Sequence, residues 1–256
     1  MRTRTLPLMA LLFSTVALPA AGAGLRPDLC VGEGCAMSWT DAINAGLLLP
    51  ATGLIDTEVR FAIASGMNPV FRPPSLFPDI AVADESGETH QSLAMAWDTT
   101  GTDEIGDLVF SAFEINYPTD PDLSGARACL SLYPPRGIWD ASFSIRDAFG
   151  RWRSFFIIGP VPAWGAFCIR PDLFAPQGPF TTVFEDPGFD ITMVTGFRFD
   201  EAGMFSLTFP VGPVPGLGGP IMWNAWDHFR IVTPAPAMLA LLGLGVFGLV
   251  LARRRG

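Results

Sequence analysis

Hydrophobic and polar residues alternate with a period of two along much of the chain, which is the pattern of strands that bury one face. The clearest example is residues 139–146 (WDASFSIR), where Trp, Ala, Phe and Ile share one face and Asp, Ser, Ser and Arg the other. Residues 147–150 (DAFG) have the composition of a turn, and residues 151–158 continue as a second strand. This stretch therefore predicts a β-hairpin.

The same alternation predicts strands elsewhere, whereas helical periodicity is nearly absent. Residues 39–49 have room for one or two helical turns, with Ser38 as the N-cap and with Gly46 and Pro50 ending the helix. Roughly eight to ten short strands separated by turn residues are typical of an antiparallel β-sandwich or jelly roll, so the predicted fold class is all-β. Besides the hairpin, the predicted strands are residues 58–63, 109–117, 126–133, 165–169, 192–199, 205–209 and 228–232.

The second half of this strand-rich body resembles a known family. The segments WDASFSIRDAFGRWRSFFI, AWGAFCI, DITMVTGFRFDE and WDHFRI are similar to strands of galactose-binding-like jelly rolls, which are carbohydrate-binding modules. The resemblance spans residues 107–232 of a predicted body at residues 24–232. It implies polysaccharide binding and a structural calcium ion at the edge of the sandwich. Residues 24–106 either supply the first strands or form a separate cap.

The N-terminus has the pattern of a secretory signal peptide. Arg2 and Arg4 precede an apolar stretch at residues 6–18, and Ala21-Gly22-Ala23 follows as a small-residue cleavage site. We therefore predict a signal peptide at residues 1–23, removed after Ala23. An uncleaved N-terminal anchor is the alternative.

The C-terminus predicts a membrane helix followed by a positive stop. Residues 237–252 carry no charge, and Arg253, Arg254 and Arg255 follow them. This apolar run is slightly shorter than the ~20 residues of a typical spanning helix. Since arginines favour the cytoplasmic side, the body is expected outside the inner membrane.

Two prolines just ahead of this helix complete a second resemblance. Pro234 and Pro236, the short apolar helix and the terminal arginines resemble the PEP-CTERM sorting signal of Gram-negative bacteria, over residues 233–256. The resemblance implies processing by an exosortase-type enzyme and a final location at the cell surface or outside the cell. Because Pro-Ala-Pro replaces Pro-Glu-Pro, a plain single-pass anchor is the alternative.

The net charge of the chain argues against negatively charged binding partners. The 256-residue chain has 16 Lys and Arg against 25 Asp and Glu, a net charge of −9, and all 16 cations are arginines. Five arginines lie in the two end segments, so the body has 11 against 25 acidic residues, or −14. A body this acidic repels nucleic acid and anionic lipid.

Four cysteines in an exported chain predict disulfides. We favour pairing Cys30 with Cys35, which closes a small loop, and Cys129 with Cys168, which joins two strands. A metal site is the alternative, but neither histidine is near a cysteine and an isolated C-x4-C is weak for zinc.

Aromatic side chains are the candidates for sugar recognition, because the apolar face of a sugar ring stacks on an exposed aromatic face. Trp152 lies between Arg151 and Arg153, which predicts an exposed platform with polar neighbours. Trp223 and Trp226 are the next candidates for exposed faces. The alternative for each tryptophan is a place in the core.

Asp227 is the most unusual carboxylate in the sequence. It shares strand parity with Phe229 and Ile231, which predicts that it enters a buried face and needs compensation. Backbone amides could supply that compensation, and so could a calcium ion. We expect the neighbouring His228 to lie at the surface.

Motifs for catalysis are lacking in the sequence. It has no G-x-S-x-G elbow and no Gly-rich phosphate loop between a strand and a helix. We therefore expect an exported, non-catalytic module that binds polysaccharide. The alternatives are a jelly-roll enzyme acting on polysaccharide, since glycoside hydrolysis needs only two placed carboxylates, and a purely structural matrix component.

Overall fold

Two β-sheets share one large hydrophobic core, as the alternating pattern predicts. The computed structural model describes residues 25–53, 69–83, 87–98, 108–117, 119–133, 140–158, 165–204 and 221–233. The elements in chain order are β1 (Leu25–Val31), α1 (Trp39–Asn44), β2 (Leu48–Pro50), β3 (Pro69–Phe71), β4 (Ser75–Ala83), β5 (Thr89–Asp98), β6 (Leu108–Asn116), β7 (Arg127–Tyr133), β8 (Asp140–Asp147), β9 (Trp152–Ile158), β10 (Gly165–Ile169), β11 (Thr182–Glu185), β12 (Val194–Met204) and β13 (Ile221–Val232).

The strands form an antiparallel sandwich, which confirms the predicted fold class. Sheet A has the order β10-β7-β13-β5-β4, and β1 also pairs with β13. Sheet B has the order β11-β9-β8-β12-β6-β2, and β3 also pairs with β6. Among the described strands, only the β3–β6 pairing is parallel.

The core between the sheets is rich in aromatic rings. Phe113, Phe143 and Phe199 of sheet B are fully buried on the face that meets sheet A. Phe199 packs against Trp226 of sheet A, with ring centroids 5.3 Å apart. Since neighbouring residues of a strand point to opposite faces, the polar residues between these phenylalanines lie on the outer face of sheet B.

β8 and β9 form the predicted hairpin. Gly150 in the turn has φ +77°, a left-handed conformation that glycine adopts readily. The Asp147 carboxylate closes the turn, because its Oδ1 accepts hydrogen bonds from the amides of Phe149 and Arg151, both at 2.9 Å. The turn chemistry inferred from DAFG is therefore confirmed.

The helix α1 begins at the predicted cap. The Ser38 hydroxyl accepts a hydrogen bond from the Asp41 amide at 3.0 Å, and the Asp41 carboxylate accepts one from the Ser38 amide at 3.2 Å. This reciprocal capping box satisfies two backbone donors at the helix start. Gly46, with φ +69°, follows the helix end.

The N-terminal part of the body supplies strands to both sheets. Strands β1, β4 and β5 belong to sheet A, and strands β2 and β3 belong to sheet B. This part is therefore not a separate cap. These strands are harder to see in the sequence because β4 is interrupted by a bulge between Phe77 and Ile80.

Both predicted disulfides are present, and the chain has no free cysteine. Cys30, near the end of β1, pairs with Cys35 in the turn that follows the strand. Cys129 and Cys168 are direct register partners on β7 and β10, so their bond ties an edge strand to its neighbour. The zinc alternative for the cysteines is thereby removed.

Several predictions lie outside the described residues. These are the signal peptide at residues 1–23, the sorting signal at residues 233–256 except for its first residue, with its helix at 237–252, and the strands at residues 58–63 and 205–209. They stay predictions from the sequence. Within the described ranges, no helix has the length and apolar character needed to cross a bilayer.

Candidate functional site

The predicted aromatic platform is not at the surface. Trp152 lies on β9, and only 9% of its surface is exposed. The guanidinium carbons of Arg146 and Arg198 lie 5.4 Å and 5.9 Å from the centroid of its ring. The prediction of an exposed Trp152 is wrong, because residues on neighbouring strands pack over the indole and form cation–π contacts with it.

The other predicted binding residues do not come together. Trp226 is 1% exposed in the core, so its predicted exposure is also wrong. The side chain of Trp223 lies outside the described part of the structure. Arg151 is ion-paired within its own turn, whereas Arg153 is buried against Glu185 of β11.

A row of polar residues crosses the three central strands of sheet B on their outer face. Arg146 of β8 and Asn116 of β6 flank the same position of β12. One step along the strands, Arg198 of β12 pairs in register with Glu114 of β6, and Asp200 follows on β12. We refer to these five residues as the arginine strip.

Ion pairs and hydrogen bonds hold the arginine strip together. Arg146 donates from Nη1 to Glu114 Oε2 at 3.2 Å and from Nη2 to Asn116 Oδ1. Arg198 donates from Nε to Asp200 Oδ1 at 2.6 Å, and its Nη1 lies 3.9 Å from Glu114 Oε1. Glu114 therefore lies between the two guanidinium groups.

One end of the strip is open to solvent. The side chains of Arg146 and Glu114 are 28% and 18% exposed, whereas that of Arg198 is 2% exposed. Gly196 lies between Arg146 and Asn116, and a Cβ there would lie 3.3 Å from Arg146 Nη2 and from Asn116 Oδ1. Because Gly196 has no side chain, Arg146 and Asn116 can contact each other above it. The guanidinium of Arg146, the carboxylate of Glu114 and the carboxamide of Asn116 therefore lie side by side at the exposed end of the strip.

Glu114 has an unusual electrostatic environment. Burial raises its pKa above the ordinary value of 4.5, and the positive charges of Arg146 and Arg198 act in the opposite direction. The nearby Asp200 adds to the increase. The carboxylate is therefore a strong hydrogen-bond acceptor whose desolvation is only partly compensated.

A second group of polar side chains lies at a bulge in β13. On one side, β13 pairs with β5 as far as Trp226 and with β1 from Phe229 onward. On the other side, its register with β7 shifts between Asp227 and Arg230. His228, inside the bulge, has φ +53°, which is uncommon for a residue other than glycine.

Asp227 is buried, as the sequence predicts, but simple alternation does not place it. Trp226 and Phe229 both belong to the core, so the bulge changes the phase of the strand between them. Asp227 Oδ1 accepts hydrogen bonds from the Glu33 amide at 3.0 Å and from the Trp39 indole at 3.4 Å. Burial raises the pKa of Asp227, and the hydrogen bond from the Glu33 amide opposes that increase.

Two histidines complete this group. His90 Nδ1 lies 3.2 Å from Glu33 Oε2, and His228 Nδ1 lies 3.2 Å from Asp227 Oδ2. The two imidazole rings are 5.8 Å apart. One ligand atom from each of these four residues lies within 4.8 Å of the others. We refer to Glu33, His90, Asp227 and His228 as the His–carboxylate cluster, which is a possible group of metal ligands.

The calcium ion implied by the family resemblance does not fit this donor set. Ca²⁺ takes about six to eight oxygen ligands from carboxylates, carbonyls and water. In the His–carboxylate cluster, two of the four side chains offer imidazole nitrogen instead. Imidazole is a ligand of transition metals rather than of calcium.

Sequence reasoning missed most members of both groups. Glu33 and His90 have no local signal, because they meet Asp227 only through the pairing of β1 and β5 with β13. The arginine strip does leave a signal. Arg146 and Arg198 occupy polar positions in strands with an alternating pattern. That the two residues are neighbours follows from the pairing of β8 with β12, which cannot be read from the sequence.

No protein-family model and no curated protein matches the sequence. Among solved structures, the chain is similar to a family 11 carbohydrate-binding module from Clostridium thermocellum in complex with a β-1,3-1,4-mixed-linked tetrasaccharide. The identity is 12% and the TM-score 0.39, over 63% of this chain and 83% of that chain.

Two further solved structures show a comparable level of similarity. A family 30 carbohydrate-binding module of a cellulosomal cellulase of Clostridium thermocellum has 12% identity and a TM-score of 0.39, over 73% of this chain and 91% of that chain. An exo-β-agarase has 12% identity and a TM-score of 0.41, over 64% of this chain. The chain spans only 23% of the length of that agarase.

Proposed function

We propose that this chain is a non-catalytic β-sandwich module that binds a neutral polysaccharide at the exposed end of the arginine strip. One observation carries the proposal: the hydrogen-bonded trio of Arg146, Glu114 and Asn116 on the outer face of sheet B. Sugar hydroxyls are both donors and acceptors. A guanidinium, a carboxylate and a carboxamide in one row can pair with several of them at once.

Charge supports a neutral ligand. The arginine strip contains two guanidinium groups and two carboxylates, so its formal charge is zero. The body around it carries an excess of acidic residues. A polyanion would be repelled by that body, whereas an uncharged sugar chain would not.

Trp152 packs against the two guanidinium groups of the arginine strip. Its indole lies within cation–π distance of Arg146 and Arg198 and is mostly buried. In this role it positions the guanidinium groups and does not stack on the sugar. This supporting role replaces the predicted stacking of Trp152 on the sugar.

Ion pairing argues against catalysis at this site. Glycoside hydrolysis needs a carboxylic acid that donates a proton and a second, ionised carboxylate. Here, the positive charges of Arg146 and Arg198 lie beside Glu114 and favour its ionised form, and Asp200 is ion-paired with Arg198. Since burial nevertheless raises the pKa of Glu114, hydrolysis is the competing function to be measured.

A binding screen tests the proposal. We expect the full chain to be retained on at least one neutral polysaccharide from a panel, in the presence of EDTA, without releasing new reducing ends. Release of reducing ends that disappears in Glu114→Gln would support the enzyme. Absence of retention on every polysaccharide, with folded protein, would leave the purely structural role.

We also propose that the module acts outside the cell. The support comes from the two chain ends, whose patterns predict export and exosortase-type processing at the inner membrane. In the native host, the mature chain is expected to begin at Gly24 and to lack the arginines at residues 253–255. Mass spectrometry of the mature protein checks this, and an intact C-terminus would favour a permanent anchor.

A further inference from the structure

We propose that the His–carboxylate cluster binds one divalent transition-metal ion of the Zn²⁺ type. The ion would hold β1, β5 and β13 together where the bulge opens sheet A. This site is on the other sheet from the arginine strip and is independent of polysaccharide binding.

Convergence of the ligands is the first argument. The chain contains two histidines in all, and both lie in this cluster, on β5 and on β13. Imidazole nitrogens combined with carboxylate oxygens are a typical ligand set for Zn²⁺. All four cysteines are in disulfides, so no thiolate competes for such an ion.

The buried oxygen of Asp227 is a second and independent argument. The Asp227 side chain has 0% exposure, and its Oδ2 accepts no hydrogen bond from any donor among the described residues. The Nδ1 atom of the His228 ring lies 3.2 Å from this Oδ2 atom. A buried carboxylate oxygen without a donor is costly, and a cation bound between Asp227 and the histidines would satisfy it.

The other oxygen of Asp227 is already held in place. Oδ1 accepts the hydrogen bonds from the Glu33 amide and the Trp39 indole. Bonds of this kind orient the carboxylates of metal sites and keep the second oxygen directed at the ion. The carboxylate is therefore positioned before any ion arrives.

Gly32 allows the turn that carries Glu33 to lie close to Asp227. It has φ +105°, and a Cβ on it would lie 2.7 Å from Asp227 Oδ1 and 2.8 Å from Trp39 Nε1. A side chain at this position would push the turn that carries Glu33 away from Asp227. The glycine thus brings Glu33 to the cluster.

The dimensions of the cluster suit a small ion. The four ligand atoms lie within 4.8 Å of one another. Bonds of about 2.1 Å in a tetrahedral site separate ligand atoms by roughly 3.4 Å, so small side-chain rotations would close the site. Glu33 and His90 are 41% and 15% exposed, which leaves a path for the ion and for a water ligand.

Metal titration of the full chain tests the inference. After stripping with EDTA, we expect saturable uptake of one Zn²⁺ per chain by calorimetry. We also expect a Tm that rises with Zn²⁺ concentration, because an ion that binds only the folded state stabilises it. Ca²⁺ at the same concentration should give neither effect. Co²⁺ should give the visible absorption of a site with nitrogen ligands.

Variants assign the site. His90→Gln and His228→Gln should each weaken Zn²⁺ binding by at least about 100-fold. The control Asp172→Asn removes a carboxylate that is paired with Arg170 in the loop after β10 and does not belong to the cluster, and it should bind Zn²⁺ like the wild type. His90→Gln keeps the test valid if substitution at the positive φ of His228 impairs folding.

Three results would overturn the inference: no Zn²⁺ uptake by folded wild-type protein, uptake that both histidine variants retain, or a response to Ca²⁺ alone. In the first case the cluster consists of ordinary ion pairs. None of these measurements contains polysaccharide, so failure here leaves the proposed function untouched.

Discussion

Replacing Arg198 by methionine is expected to lower the free energy of unfolding by about 3–5 kcal/mol. Arg198 is buried and donates to Asp200 Oδ1 and to the carbonyl of Gly53, both at 2.6 Å. Methionine fills similar volume but removes the positive charge. Asp200 and Glu114 would then remain on a largely buried face without this cation. Urea unfolding of the purified variants measures the loss.

Two matched variants separate charge from packing in this prediction. Arg170→Met removes an exposed arginine paired with Asp172, and its effect on the free energy of unfolding should be far smaller than that of Arg198→Met. The double variant Arg198→Met with Asp200→Leu should recover much of the loss, because it leaves no unpaired charge at Asp200. A single Arg198→Met variant as stable as the wild type would contradict the buried ion pair.

Asp147→Asn is expected to cost about 3 kcal/mol at neutral pH. The side chain of Asp147 is fully buried and accepts four hydrogen bonds. They come from the amides of Phe149, Arg151 and Asp190 and from Arg151 Nε. An Asn amide group would turn N–H donors toward some of these donors and leave them unpaired. Asp122→Asn, which affects one exposed carboxylate bonded to one amide, should cost about 1 kcal/mol or less.

The cost of Asp147→Asn should depend on pH. Burial alone raises the pKa of Asp147, but the hydrogen bonds from Arg151, Asp190 and Phe149 outweigh burial and lower it. A carboxyl whose pKa is lower in the folded state stabilises the fold above its unfolded pKa of about 4. That contribution disappears as the pH falls through the folded value. The difference between wild type and Asp147→Asn should therefore shrink below about pH 4, and a constant difference from pH 7 to pH 2.5 would refute this role.

The fold could be predicted largely because local patterns determine it. The hairpin of β8 and β9 has both clean alternation and a turn with Asp147 and Gly150, and each is visible in a few residues. The start of β13 was harder to predict. The strand prediction began at residue 228, whereas β13 runs from Ile221 to Val232. The bulge at His228 interrupts the alternation, so the two halves of β13 do not look like one strand.

The site was harder to predict because sheets bring together residues that are distant in sequence. The prediction for Trp152 considered its chain neighbours, Arg151 and Arg153. The residues that contact its ring are instead Arg146 and Arg198, across β8 and β12. Chain neighbours on a strand point to opposite faces, so they are poor guides to the surroundings of a side chain.

The affinity of the Arg146→Ala variant tests the central proposal most directly. Isothermal titration would compare wild type, Arg146→Ala and the control Arg170→Ala with the polysaccharide that retains the wild type best. Arg146 lies at the exposed end of the strip. Its replacement by alanine also removes the hydrogen bonds that hold Glu114 and Asn116 in place. We expect binding at least about 10-fold weaker for Arg146→Ala, or about 1.4 kcal/mol, and unchanged for Arg170→Ala. Equal affinity for all three folded proteins would contradict polysaccharide binding at the arginine strip.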